Sequence, residues 1–144
     1  MYTTIGHIQP MDSHGRNMDE QELTVLLEQW EVVYKKGLLT FWVLLLLHER
    51  PMYVFEMGEA LDAVSRGTMC ADERSLYRAL RRFERAGFVE SEWQASDVGP
   101  QRRYYGLSDL GKELLCRFAE RNILLFQEPD IAERLSRLVN HTDM

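Results

Sequence analysis

DERSLYRALRRFERAG, residues 72–87, opens with an aspartate suited to capping a helix and closes on a glycine suited to ending one. Laid out at about 100° per residue from Leu76, Leu80 falls at about 40°, Phe83 at about −20° and Ala79 at about −60°, which makes one apolar stripe. Arg81, Arg74, Arg85 and Arg78 fall at about 140°, 160°, 180° and 200°, directly opposite. Tyr77 borders the arginine arc on one side, and Ser75 and Arg82 border it on the other. A face that only seeks solvent normally mixes signs, with acids such as Glu73 and Glu84 pairing some of the arginines. This arc is of one sign, and its width is that of a helix face entering the major groove, where arginine forks onto guanine or holds phosphate.

The residues that follow extend the pattern. Phe88, Val89, Ser91 and Trp93 alternate as a strand, Gly99-Pro100 marks a turn, and Arg103 to Leu107 returns. A hairpin directly after such a helix is a wing. Its tip carries Gln101, Arg102 and Arg103, placed to clamp the neighbouring backbone, with Arg102 and Arg103 supplying sequence-independent affinity. Between Arg74 and Arg103 seven arginines face four acids, although the whole 144-residue chain has a net charge of −6. One basic face on an acidic body lets a duplex dock in one orientation and repels it from the others.

Upstream, Leu23, Leu26, Leu27, Trp30, Val33 and Tyr34 recur at helical spacing from Asp19, and Lys35, Lys36 and Gly37 predict the end of that helix. A second, buried helix is expected over the apolar run from Gly37 until Arg50-Pro51. A third, Val54 to Ser65, is expected to bury Phe55, Met57, Leu61 and Val64. Downstream, Ser108 opens a helix carrying Leu110, Leu114, Leu115, Phe118, Ala119 and Ile123 to about Phe126, and Pro129 separates it from a short last helix. The expected fold is mainly α with a small β-hairpin, a winged helix-turn-helix with added N- and C-terminal dimerisation helices. Residues 1–17, aperiodic, read as a flexible arm. Residues 18–107 read as the N-terminal helix plus the DNA-binding domain, and 108–144 as the dimerisation helices.

Other chemistries find little support. Cys70 and Cys116 form no paired motif, and His7, His14, His48 and His141 show no ligand spacing, so no metal or cofactor is expected. There is no phosphate loop, nucleophile elbow or framed carboxylate pair, so no enzyme is expected. MYTTIGHIQP lacks the charged start and apolar run of a secretory signal, and Gly37 to Leu47 is about half the ~20 residues that span a bilayer, so a cytoplasmic chain without membrane attachment is expected.

GLLTFWVLLLLHERPMYVFEM (37–57), RSLYRALRRFERAGFVESEW (74–93) and GPQRRYYGLSDLGKELL (99–115) together resemble the PadR family of transcriptional regulators. The specific features are a tyrosine inside the recognition helix, the Phe83-Glu84 pair, the glycine that ends the helix, the strand tryptophan, the basic wing and the Ser108 to Gly111 helix start. Val54 and Arg74 stand where glycine is usual in that family, and Arg74 is expected to add a DNA contact. The resemblance implies a dimer of winged helices with Tyr77 and its arginine neighbours at DNA and the C-terminal helix in the interface. The helix with Trp30 and the short tail are similar to the cyanobacterial circadian period-extender subgroup, which implies repression of a clock gene.

The terminal helices carry more apolar surface than a hairpin-sized core can cover, which calls for partner helices and most simply for a two-fold homodimer through Leu23, Leu27, Trp30, Tyr34, Leu114, Phe118 and Ile123. Trp30, Trp42 and the terminal aromatics are open to two readings, a small-molecule effector pocket or ordinary packing, and packing is the simpler. The functional reading is a promoter-binding repressor on double-stranded DNA. Its rival is a winged-helix protein-interaction module whose arginines meet an acidic partner.

Overall fold

The computed structural model describes residues 10–140; the first half of the expected arm, with His7, and the terminal His141 lie outside the described residues. The elements are α1 (Glu20–Glu49), α2 (Val54–Val64), α3 (Glu73–Arg85), β1 (Val89–Gln94), β2 (Arg102–Leu107), α4 (Asp109–Phe118), a π-helical turn (Ala119–Ile123), a 3-10 turn (Leu124–Gln127) and α5 (Pro129–Asn140). They form two compact units: Lys35–Glu120, and the segments up to Tyr34 and from Arg121. This differs from the expected division, because α4 belongs with the winged helix and residues 18–34 group with the end of the chain.

The core lies entirely in the Lys35–Glu120 unit. Val43, Leu44, Leu46 and Leu47 of α1 pack with Met57 and Leu61 of α2, Leu76, Leu80 and Phe83 of α3, Val89 and Tyr105 of the hairpin, and Leu115 of α4. Burying one such side chain contributes about 1.5–3 kcal/mol, so these residues dominate the unit's stability. β1 and β2 pair antiparallel, with Val89 opposite Leu107 and Trp93 opposite Arg103. Met52 forms an isolated bridge beside β2, its N–H donating to the Tyr105 carbonyl at 3.0 Å and its carbonyl accepting from the Tyr105 N–H at 2.8 Å.

Three local expectations are corrected. The two helices expected either side of Gly37 are one continuous helix of 30 residues. A mid-helix glycine costs about 1 kcal/mol against alanine, too little to stop a run whose next turns are buried in the core. Phe55 and Val64 are 52% and 40% exposed rather than buried. Two residues apart on a helix are about 200° apart, so once Met57 faces the core Phe55 cannot, and it stacks on Tyr53 instead at 6.5 Å. Val64 ends its helix just before the chain turns away. Finally, residues 10–18 form an ordered turn: Asp12 accepts from the His14 and Arg16 amides, each at 2.9 Å, and Met11 bridges to Asn17.

α4 is anchored at its first residue. Ser108, buried, accepts from the Gly111 amide at 3.0 Å and donates to the Gly87 carbonyl, so one hydroxyl caps α4 and closes the end of α3. Ser108→Ala removes the cap and strands the carbonyl. The expected loss is about 1–2 kcal/mol, read as a lower urea midpoint at constant m-value.

Candidate nucleic-acid interface

α3 is placed by its ends. The Asp72 carboxylate accepts from the Ser75 amide at 2.7 Å, and this bond holds its carboxyl below the usual range. A carboxylate depressed on folding stabilises above its ordinary range and stops doing so as pH falls through the lowered value, so the cap is complete at neutral pH. At the other end Gly87 takes φ +85°, where the Phe88 amide reaches back to the Phe83 carbonyl at 2.8 Å. The turn from α2 is tight, with Arg66 and Gly67 both left-handed at φ +53° and +77°. The buried Ser65 hydroxyl holds it by accepting from the Met69 amide at 3.0 Å.

Leu76, Ala79, Leu80 and Phe83 are buried, which turns the opposite arc outward. Arg74, Arg78, Arg81 and Arg85 are exposed there, and among the described residues none of them, nor Arg82, is within ion-pair distance of a carboxylate. Tyr77 is 39% exposed and lies under the Arg81 guanidinium at 5.8 Å. Ser75 is half-buried, its amide engaged by the cap, and Arg82 sits on the far flank with its guanidinium 5.9 Å from the Phe83 ring.

The wing divides its residues between two faces. Alternation along β2 sends Arg102 and Arg103 to opposite sides of the hairpin. Arg102 is exposed and stacks 4.5 Å over Tyr53, which also meets Tyr104 edge-on at 5.5 Å. Arg103 faces α3, where its Nη2 donates to Glu84 Oε1 at 2.9 Å and its Nε to Ser91 Oγ, also at 2.9 Å. Gln101, exposed, stands at the tip. Tyr105 is fully buried on the α3 side, burial raises its phenol above the ordinary value, and its hydroxyl has no hydrogen-bond partner among the described residues. Sequence reasoning gave no site role to Tyr53, Ser91 or Tyr105, and read Glu84 as a generic partner for arginine and as half of the Phe83-Glu84 pair. The strand alternation that separates Arg102 from Arg103 was the available signal.

The residues expected at a dimer interface fall in both units. Leu23 and Ile123 are half-buried, and Leu27, Trp30 and Tyr34 are exposed, Trp30 by 76%. Leu114 and Phe118 lie on α4, where Phe118 packs on Phe41 at 5.7 Å beside an apolar recess of about 110 Å³. Among the described residues no cluster of three His, Cys, Asp or Glu could hold a metal ion, and no helix is long and apolar enough to cross a membrane.

Solved structures share this architecture. A transcriptional regulator from Thermoplasma acidophilum is 29% identical, covering 69% of this chain and 92% of its own, with a TM-score of 0.56. A PadR family regulator from Eggerthella lenta is 23% identical, covering 80% and 96%, with a TM-score of 0.65. PadR of Bacillus subtilis, solved in complex with operator DNA, is 18% identical over 56% of this chain and 45% of its own, with a TM-score of 0.52. An uncharacterised protein of Lysinibacillus sphaericus is 26% identical over 85 residues, 59% of this chain and 78% of its own. Residues 43–117, which run from the buried half of α1 through α3 and the wing to α4, match the description of the transcriptional regulator PadR-like family, and the chain belongs to that family.

Proposed function

We propose that this protein binds double-stranded DNA sequence-specifically as a homodimer and represses transcription from an inverted-repeat promoter site. The observation that carries the reading is the outward arc of Arg74, Arg78, Arg81 and Arg85, uncompensated by any carboxylate at ion-pair distance among the described residues, in a chain of net charge −6. Charge left unpaired on an acidic protein is charge available to phosphate and base edges. In this assignment Tyr77, Arg78 and Arg81 reach bases, Arg74, Arg85 and Arg102 hold phosphates, and Ser75, Arg82 and Gln101 border the contact. That Bacillus subtilis PadR, of like fold, is solved in complex with operator DNA supports DNA as the partner.

Dimerisation is supported by apolar exposure in the unit outside the winged helix. Leu26, Leu27, Trp30, Val33 and Tyr34 are all about half exposed or more and share one face of α1. A two-fold pair would set two α3 helices into successive major grooves about one helical turn apart. Repression follows if such a dimer occupies a promoter. A circadian role rests on the sequence likeness of the Trp30 helix and short tail alone, and is proposed at that level.

A salt titration tests the reading. On a duplex selected by the protein from a random-sequence library, log affinity is expected to fall linearly with log salt, with a slope of about −0.9 for each phosphate neutralised. Light scattering of the free protein is expected to give twice the chain mass. No binding to any duplex at low salt would instead favour a protein-interaction module.

A further inference from the structure

We infer that Glu84, Ser91 and Arg103 form a strut that sets the angle of the wing against α3, so that Arg103 positions the wing and is not itself a phosphate ligand. The three side chains come from α3, β1 and β2 and close a ring. Arg103 Nη2 donates to one Glu84 oxygen at 2.9 Å, Arg103 Nε donates to Ser91 Oγ at 2.9 Å, and the Ser91 hydroxyl donates to the other Glu84 oxygen. The Glu84 and Arg103 side chains are each only 30% exposed. The guanidinium is further flanked by the Trp93 ring at 5.8 Å and the Tyr105 ring at 5.6 Å.

Position explains why this ring matters. Glu84 lies at about 80° from Leu76 on α3, between the core stripe and the arginine arc, the flank that faces the hairpin. The base of the wing is held by buried Val89 and by the Ser108 amide on the Phe88 carbonyl at 3.1 Å. The ring ties the hairpin to α3 again at the pairs Ser91 with Tyr105 and Trp93 with Arg103, while Arg102 of the next pair leans on Tyr53 from the other face. A hairpin tied to α3 at two levels keeps a fixed angle to that helix, and one tied to α3 only at its base can tilt away from it. Glu84, an acid beside the arginine arc of α3, is held in an ion pair. Its charge is thereby withdrawn from the duplex, and Arg103 spends its fork in doing so.

The inference rests on the proposed DNA reading, and the two fail differently. Full-length Glu84→Gln, Arg103→Lys, Arg103→Gln and the double Glu84→Gln/Arg103→Gln are compared with wild type on the selected duplex at fixed salt, and DNase footprints are taken of each. Glu84→Gln is expected to weaken binding about tenfold although it removes a negative charge, the scale of a coupled network. Arg103→Lys is expected to lose as much, because an ammonium cannot hold both partners in the guanidinium geometry. The double variant should bind no worse than Arg103→Gln, and protection should fade at the flanks while the major-groove protection stays. Hydrogen exchange of the DNA-free variants, expected to be faster at residues 92–94 and 102–104 than in wild type, reads the strut without DNA. Tighter or unchanged binding by Glu84→Gln, with Arg103→Lys retaining affinity, would make Arg103 a phosphate ligand and overturn the strut. Wild type that binds no duplex overturns the DNA reading instead, and unchanged exchange in the variants overturns the strut whatever the DNA result.

Discussion

Gly111→Ala is expected to be the most damaging single substitution in the winged helix. A Cβ at this position would lie 2.1 Å from the Phe88 carbonyl oxygen, 2.7 Å from Leu107 Cδ1 and 3.1 Å from the Phe88 carbonyl carbon. Leu107 could turn aside, but a backbone carbonyl cannot. The Phe88 oxygen is already fixed by the Ser108 amide, and the Gly111 amide by the Ser108 hydroxyl. Relieving the overlap therefore means lifting the start of α4 away, which breaks the cap and exposes Leu115, now 7% exposed. Overpacking of this kind costs about 3 kcal/mol or more where the surroundings cannot yield. For a unit of this size that is a fall in Tm of about 10 °C or more. Thermal unfolding followed by circular dichroism reads it, and a Tm within about 2 °C of wild type would show that α4 slides freely on the hairpin.

That contact also marks what a sequence can and cannot disclose. α3 was legible because its determinants are local: Asp72 and Ser75 are three residues apart, and the stripe of Leu76, Leu80 and Phe83 repeats at the helical period. The hairpin was legible for the same reason, from alternation and a Gly-Pro turn. Gly37 misled because a helix-ending residue and a tolerated mid-helix glycine are identical in composition, and burial of the following turns decides between them. Phe55 misled because it is large and apolar, although the geometry of its neighbour Met57 excluded it from the core. Arg103 was the harder residue to read. Its partner Glu84 is 19 residues away and on another element, so a tip arginine expected to clamp DNA is engaged by a carboxylate that only the strand register brings to it. The terminal apolar residues were legible as exposed surplus, since the chain has no way to bury Trp30 or Leu27 by helical spacing alone.

The largest functional loss is expected from Arg78→Ala combined with Arg81→Ala. The two lie three residues apart at about 200° and 140° from Leu76, so one turn of α3 presents both to the same stretch of groove. Both are exposed and neither has a carboxylate within ion-pair distance among the described residues, so their removal leaves no acid stranded. Alanine is the best helix former, so the fold should survive, and an unchanged Tm is the control. Each lost bidentate base contact costs about 1–3 kcal/mol, and a two-fold complex makes each contact twice. Even the lower figure gives about 4 kcal/mol, close to a thousandfold, which brings selected and scrambled duplexes toward the same affinity. Arg82→Ala is the comparison, since Arg82 stands on the far flank beside Phe83 and should cost about tenfold at most. Fluorescence anisotropy on both duplexes separates the outcomes. A double variant that weakens selected and scrambled DNA alike, with the salt slope reduced by about 0.9 for each lost contact, would reassign Arg78 and Arg81 to phosphates. Base reading would then fall to Tyr77 and the first turn of α3, where Arg74 and Ser75 are the remaining donors.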